Sequence, residues 1–138
     1  MKNKIFIDTN ILVYAFVDNN MEKHNKARQM IYEKRFDDLL FISTQTIGEF
    51  SATLARNRIK TKIIEKYFHE IINSFSILKI DINTFSNAYF LKDKYSLSWW
   101  DSVIVSTALE NECNVLYSED FGHVSKFEKA LKVVNPLM

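Results

Sequence analysis

The chain has 138 residues, and its 18 Lys plus Arg against 17 Asp plus Glu leave a formal charge of +1. With 47% hydrophobic and 25% charged residues, this length predicts one folded domain over residues 1–138 and excludes a disordered chain. The near-zero charge excludes binding of polyanions through a general positive field, so any nucleic-acid contact must be local.

The predicted elements alternate between strands and helices along the chain. Short continuous apolar runs are typical of buried strands, and longer stretches with apolar residues three or four apart indicate helices. In chain order we predict strand 4–7, helix 22–34, strand 39–42, helices 46–56 and 61–72, strand 76–80, helices 84–95 and 99–111, strand 115–117 and a weaker strand 132–134. This alternation predicts an α/β fold with a parallel sheet of four to five strands, covered by helices on both faces.

Glycine and proline are scarce, since only Gly48, Gly122 and Pro136 occur. A dinucleotide-binding loop or a Walker-type phosphate loop needs several glycines for close approach of the backbone to phosphate. Both enzyme classes are therefore excluded.

The single cysteine, Cys113, cannot form an internal disulfide, and we expect it to fill space in the core. No run of 18 apolar residues occurs, and the polar residues 8–10 interrupt the only stretch that resembles a signal peptide. We therefore expect a cytoplasmic protein with no membrane partner.

Three long apolar windows each contain one charged residue, and each time it is an acid. Asp8 is the only charge in 5–17, Glu49 the only one in 39–55, and Asp101 the only one in 95–109. A carboxylate in apolar surroundings is costly to bury unless it is paired, hydrogen-bonded or bound to a cation, and no Lys or Arg lies in these windows. A fourth acid, Asp120, follows the predicted strand 115–117, at the sheet edge where parallel sheets bind ligands.

Each acid also has an ordinary structural explanation. These are an Asx turn at Asp8, a capping box with Ser98 at Asp101, a first-turn helix acid at Glu49, and a turn residue at Asp120, where Glu119 competes for any special role. Taken together the four acids favour a metal site, because clustered carboxylates repel one another and Mg²⁺ prefers carboxylate and water oxygens.

Four acidic motifs carry a resemblance to a known family. In order they are Ile7-Asp8-Thr9-Asn10-Ile11-Leu12-Val13-Tyr14, Ile47-Gly48-Glu49-Phe50, Trp100-Asp101-Ser102-Val103-Ile104 and Leu116-Tyr117-Ser118-Glu119-Asp120-Phe121. With this order and spacing, the chain resembles the PIN-domain family, specifically the VapC-type toxins of toxin–antitoxin pairs, nearly end to end. The resemblance implies a three-layer α/β/α domain, an endoribonuclease site that uses Mg²⁺ or Mn²⁺, a homodimer, and inhibition by a cognate antitoxin.

The resemblance also implies roles for individual residues. Asp8 and Asp101 match the family's main metal-binding positions, Glu49 its second acid, and Asp120 its less uniform fourth acid. Ser118 stands where the family often has threonine, and it keeps a hydroxyl that can bond to a carboxylate. Two residues are expected to support the acids, namely Asn10 and Ser118. We expect Asp8 and Asp101 to hold the principal ion, and Glu49 and Asp120 to complete its shell through waters, with Glu49 orienting the attacking water.

Several other side chains have two interpretations. A basic cluster joins two predicted helices and could hold RNA phosphates, or could simply be a solvated helix end: Arg56, Arg58, Lys60 and Lys62. Of the adjacent Trp99 and Trp100, one could stack on a base, and we expect Trp100 to be core. An apolar surface could dock an antitoxin helix, or its residues could pack the domain: Tyr14, Phe16, Phe50 and Leu54.

Two rival functions remain open. One is a non-catalytic PIN-like module that binds RNA or protein, which an intact set of acids argues against. The other is a phosphatase or phosphoacceptor with Asp8 as nucleophile, although residues 8–10 lack the second aspartate of the commonest such motif. The histidines, His24, His69 and His123, show no spacing suited to zinc.

Overall fold

The computed structural model describes residues 2–138, which form six strands and six helices. In chain order these are β1 (Lys4–Ile7), α1 (Thr9–Phe16), α2 (Met21–Asp37), β2 (Leu39–Ser43), α3 (Thr44–Arg56), α4 (Thr61–Ser74), β3 (Ser76–Leu78), α5 (Ile82–Tyr95), α6 (Trp99–Glu110), β4 (Val115–Tyr117), β5 (Lys126–Phe127) and β6 (Leu131–Val134).

The strands form one sheet in the order β3-β2-β1-β4-β6-β5. All neighbouring strands are parallel except the short β5, which pairs antiparallel with β6. β1 lies at the centre, with Phe6 opposite Phe41 of β2 on one side and Leu116 of β4 on the other. The strands that follow β1 in the chain lie on both sides of it, with β2 and β3 on one side and β4, β6 and β5 on the other. The strand order therefore reverses beside β1, and open α/β sheets bind ligands at such a switch point.

Two hydrophobic cores cover the two faces of the sheet. Because successive strand residues point to opposite faces, Ile5 and Ile7 enter one core while Phe6, between them, enters the other. The first core packs against α1 to α4, through residues such as Leu12 and Phe50. The second packs against α5 and α6. The domain therefore has three layers, α/β/α, as the sequence predicts.

The predicted elements agree with the structure except at two short ones. The sheet has six strands rather than four to five, because β5 adds two residues that no apolar run announces. α1 was not predicted, because its apolar run, residues 11–16, is too short to be told from a buried strand by pattern alone. Cys113 is buried in the second core, as expected.

No helix within residues 2–138 is both long enough and apolar enough to span a membrane.

Candidate functional site

The four acids line a single cavity of about 490 Å³, which we call the acidic pocket. Asp8 follows β1 and Asp120 lies beyond β4, so the carboxyl ends of two neighbouring parallel strands bring them to one edge of the sheet. Glu49 comes from α3 and Asp101 from the first turn of α6. Residues from opposite layers and distant parts of the chain thus converge at this edge.

Asp8 is buried, with 5% of its surface exposed. Its backbone N–H donates to the carbonyl of Tyr117 at 2.9 Å, which fixes the end of β1 beside β4. Its side chain accepts from the backbone N–H of Thr9 at 2.7 Å and caps α1. The ordinary cap and the expected site residue are therefore the same carboxylate.

Ser118 connects two of the acids. Its hydroxyl donates to Oδ2 of Asp8 at 2.7 Å and accepts from the backbone N–H of Asp120 at 3.0 Å. Asn10 Nδ2 donates to Oδ2 of Asp120 at 2.9 Å. Both residues predicted to support the acids therefore contact them directly.

Glu49 is positioned by Thr9, whose hydroxyl donates to Oε1 of Glu49 at 2.8 Å. Sequence analysis did not give Thr9 this role, although its place next to Asp8 was a usable signal. Glu49 is the sixth residue of α3, so its interpretation as a first-turn acid was wrong. Its carboxylate instead faces the acidic pocket.

Asp101 is half-buried at the start of α6, where its backbone N–H donates to the hydroxyl of Ser98 at 3.2 Å. Ser98 is the helix cap, as predicted, but no reciprocal bond from the Asp101 carboxylate completes a capping box. The side chain lines the acidic pocket. Burial, together with the charge of Asp120, raises the pKa of Asp101.

Asp8 has the most perturbed acid–base chemistry of the site. Burial raises its pKa from 3.8 to about 7, assisted by the negative charges of Asp101 and Asp120 and opposed by the hydrogen bonds from Ser118 and Thr9. The acids are therefore close enough to repel one another. Any cation in the pocket would relieve this repulsion and hold Asp8 ionised.

The donor set suits a hard divalent cation. Four carboxylates line the acidic pocket, against the single guanidinium of Arg56. Asn10 Oδ1 is buried there with no hydrogen-bond partner within residues 2–138, which leaves one further oxygen donor. Over the same range, no three His, Cys, Asp or Glu side chains are grouped closely enough to ligate one ion. Mg²⁺ commonly binds through one or two carboxylates and keeps several waters, so these residues fit it without a closed protein cage.

Glu119 does not compete with Asp120 for the acidic pocket. It accepts from the hydroxyl of Tyr14 at 2.6 Å and from Lys23 Nζ at 2.8 Å. Burial opposes the effect of these bonds, but on balance they lower the pKa of Glu119. These two hydrogen bonds tie the segment that carries Asp120 to α1 and α2. This role was not predicted, because Glu119 is far from Tyr14 and Lys23 in the chain.

The basic cluster divides in the structure. Arg56 lines the acidic pocket, and its Nη2 donates to the hydroxyl of Thr53 at 3.1 Å. The remaining three do not line it: Arg58, Lys60 and Lys62. Their role in RNA binding stays a prediction.

The expectation that Trp100 is a core residue was wrong, and of the two interpretations of the apolar surface, packing of the domain holds for Phe50 and Leu54. Trp100 is 51% exposed and not in the core, whereas Trp99 is the more buried of the pair. Phe50 and Leu54 are fully buried and pack the first core, so they cannot line a docking groove. Adjacent helix positions point about 100° apart, which explains why the pattern could not assign the two tryptophans.

The fold and the site define an α/β/α protein with an acidic cavity at the carboxyl edge of its parallel sheet. The chain belongs to the PIN domain family, whose model matches residues 5–128. A comparison with curated proteins gives no match.

Solved structures of toxin–antitoxin proteins share this fold. VapC20 of Mycobacterium tuberculosis, a toxin that cleaves the sarcin–ricin loop, has a TM-score of 0.74 at 14% identity, over 91% of this chain and 97% of its own. A toxin–antitoxin complex from Klebsiella pneumoniae has a TM-score of 0.71 at 21% identity, over 96% of this chain and 97% of its own. VapBC2 of Rickettsia felis, bound to a fragment of its promoter DNA, has a TM-score of 0.70 at 14% identity, over 96% of this chain and 99% of its own.

Proposed function

We propose that this protein is a metal-dependent endoribonuclease and the toxin of a toxin–antitoxin pair. The observation that carries the proposal is the convergence of Asp8, Glu49, Asp101 and Asp120 on one cavity in a PIN domain. Their carboxylates come from both layers of helices and from the sheet edge, and the charges of Asp101 and Asp120 disfavour ionisation of Asp8. A structural role alone does not require acids to be gathered at such cost.

The proposed partners follow from the similar structures. Two of them are complexes of a toxin with its antitoxin, and a third is a toxin that cleaves an RNA loop. Their similarity in fold over more than nine-tenths of this chain supports a cognate antitoxin for this protein. The homodimer stays a prediction from the family resemblance. A neighbouring gene for a small DNA-binding protein would support the toxin role.

The acids have distinct tasks in the proposed mechanism. Asp8 and Asp101 would hold Mg²⁺ or Mn²⁺, with Asp120 and Asn10 Oδ1 completing the shell through waters. A bound ion of this kind polarises a phosphoryl oxygen and offsets charge on the leaving oxygen. Ser118 keeps Asp8 and Asp120 in a fixed relation through its two hydrogen bonds.

Glu49 is the proposed group that orients the attacking water. The Thr9 hydroxyl occupies one of its oxygens, Oε1, and is the only hydrogen-bond donor to this carboxylate within the described range. The other oxygen can accept a proton from a water in the acidic pocket. Arg56, exposed at the rim, supplies a positive charge for an RNA phosphate next to the acids.

The test is cleavage of a mixed cellular RNA pool by purified protein. We expect discrete fragments with Mg²⁺ or Mn²⁺, none with a chelator, and none from Asp8→Asn. The control is Asp93→Asn, which removes an exposed acid on α5 and should cut as wild type. Cutting by Asp8→Asn at the wild-type rate would contradict the proposal, and a folded protein that cuts nothing would favour the binding module.

A further inference from the structure

A second cavity, of about 450 Å³, adjoins the acidic pocket and is named here the aromatic pocket. Its walls include Gln45 and Gly48 of α3, Phe85 of α5 and Trp100 of α6. Glu49 lines both cavities, so the two are neighbours. Trp100 also immediately precedes Asp101, a proposed metal ligand, in α6.

The walls of the aromatic pocket suit a flat uncharged group. Trp100 is 51% exposed, and its ring contacts Phe85 edge-on, with ring centroids 6.4 Å apart. Glu49 is its only charged lining residue, so the pocket offers no cation to a phosphate. An added Cβ at Gly48 would meet no atom within 4 Å, so the missing side chain leaves the cavity open at that wall.

Gln45 adds a specific hydrogen-bonding group. Its Nε2 donates to the carbonyl of Trp100 at 3.2 Å, and since a carbonyl can only accept, the amide oxygen must be turned away from it. That oxygen, Oε1, is buried and has no hydrogen-bond partner within residues 2–138. An orphaned buried acceptor is rare, and because Gln45 lines the aromatic pocket, a small shift of its side chain that exposes Oε1 would let a ligand there donate to it.

We propose that the aromatic pocket is a nucleobase subsite, in which a base next to the cleaved phosphate stacks on Trp100 and donates an exocyclic amino group to Gln45. The proposal rests on the proposed function, because it takes the phosphate in the acidic pocket to belong to RNA. Single-stranded RNA can turn its bases onto aromatic side chains, and each base has a π-face. The orphaned acceptor then favours cytosine over uracil, since cytosine has an amino group where uracil has a carbonyl.

The test is binding of short fluorescein-labelled oligocytidylate and oligouridylate by fluorescence anisotropy, in a chelator so that no cleavage occurs. We expect wild type to prefer oligocytidylate, and Trp100→Ala to bind both oligonucleotides about tenfold more weakly. Trp100→Phe keeps an aromatic face and should retain most of the affinity. The control, Tyr32→Ala, removes an equally exposed ring at a different cavity and should change nothing.

Two further variants separate stacking from hydrogen bonding. Gln45→Leu should abolish the preference for cytosine while leaving binding of oligouridylate unchanged. Gly48→Leu should fill the pocket and weaken both ligands with Trp100 intact. In a Trp99→Phe background, Trp100 is the sole tryptophan, and its fluorescence should be quenched by a stacked base.

The proposal is overturned if Trp100→Ala binds oligocytidylate as wild type does, or if Gln45→Leu keeps the preference for cytosine. A changed mass in solution for Trp100→Ala, with unchanged RNA binding, would assign the pocket to a second copy of this chain. Cleavage assays with Mg²⁺ distinguish this failure from failure of the proposed function. If RNA is bound through Trp100 but not cut, the subsite is supported and the nuclease is contradicted. If RNA is cut equally well by Trp100→Ala, the nuclease is supported and the subsite is contradicted.

Discussion

The acidic pocket and the aromatic pocket lie side by side and share Glu49, yet the first is lined by four carboxylates and the second mainly by uncharged side chains. In the acidic pocket, hydrogen bonds from Thr9 and Ser118 fix carboxylates that repel one another. The aromatic pocket has an exposed indole, Trp100, and one unpartnered acceptor. The difference teaches which ligand each pocket suits: on the proposals above, the first would hold a cation and the second a neutral planar group. Changes in the first should alter turnover, and changes in the second should alter binding.

The largest effect is expected at the shared residue, from Glu49→Gln. This change keeps size and can still accept from Thr9, but it removes the proton acceptor, so kcat should fall between roughly 10² and 10⁴-fold. RNA affinity in a chelator should stay near wild type. Cleavage kinetics with Mg²⁺ provide the measurement, with Glu65→Gln on the exposed side of α4 as control. A fall in RNA affinity without a fall in kcat would place Glu49 with the aromatic pocket alone.

The next effect is a dependence of stability on pH in the acidic pocket. The pKa of Asp8 is raised from 3.8 to about 7 in the folded protein, so the folded state binds the extra proton between these values. The free energy of unfolding of metal-free protein should therefore fall as pH rises from 4 to 7, by on the order of 3 kcal/mol. The measurement is chemical denaturation in a chelator at several pH values.

Asp8→Asn isolates this dependence, because the neutral amide does not titrate. The variant should lose the decline and be more stable than wild type at pH 8. Added Mg²⁺ should stabilise wild type at that pH and leave the variant unchanged. Parallel curves for wild type and Asp8→Asn would show that burial of Asp8 is not the cause.

The sequence predicted most of the acidic pocket and little of the aromatic one. Each lone acid stood out because an apolar window isolated it, and the ends of parallel strands brought Asp8 and Asp120 together. A bond from the Ser118 hydroxyl to a carboxylate was expected, but its second bond, to the backbone N–H of Asp120, was not. The ties from Thr9 and Lys23 were not predicted, because hydrogen bonds between side chains distant in sequence have no periodic signal.

The aromatic pocket depends on which way a few side chains point, and sequence fixes that poorly. Helical period told neither that Trp100 is exposed nor that Gln45 reaches its carbonyl. In the fold, long periodic helices and continuous apolar strands were predicted within a few residues. α1 and β5 were not, since the apolar run of α1 is too short to be told from a strand and β5 has only two residues.

A smaller effect is expected from Ser118→Ala, which removes the bridge between Asp8 and Asp120. Loss of a hydrogen bond to a buried carboxylate should lower the free energy of unfolding by about 2 kcal/mol and reduce cleavage. The matched control is Ser106→Ala, a buried serine whose hydroxyl donates to the backbone carbonyl of Thr84 at 2.8 Å. Ser106→Ala should lower the free energy of unfolding but leave cleavage unchanged. Equal cleavage by the two variants would deny Ser118 a positioning role.

The smallest effect is expected in the basic cluster. Arg56→Gln should weaken RNA binding several-fold and reduce the slope of log affinity against log salt by about 1, because Arg56 lines the acidic pocket. Lys62→Gln removes the same charge farther along the chain, outside that pocket. Anisotropy titrations at several salt concentrations compare the two. A larger loss from Lys62→Gln would move the phosphate track away from the acids.

The most direct test of the account is binding of Mn²⁺ to the purified protein, followed by electron paramagnetic resonance of the free ion. Wild type should take up the ion at neutral pH, and both Asp8→Asn and Asp101→Asn should bind it at least tenfold more weakly, while Glu65→Gln should match wild type. Equal uptake by all four proteins, or none by wild type, would contradict the claim that these acids form a metal site.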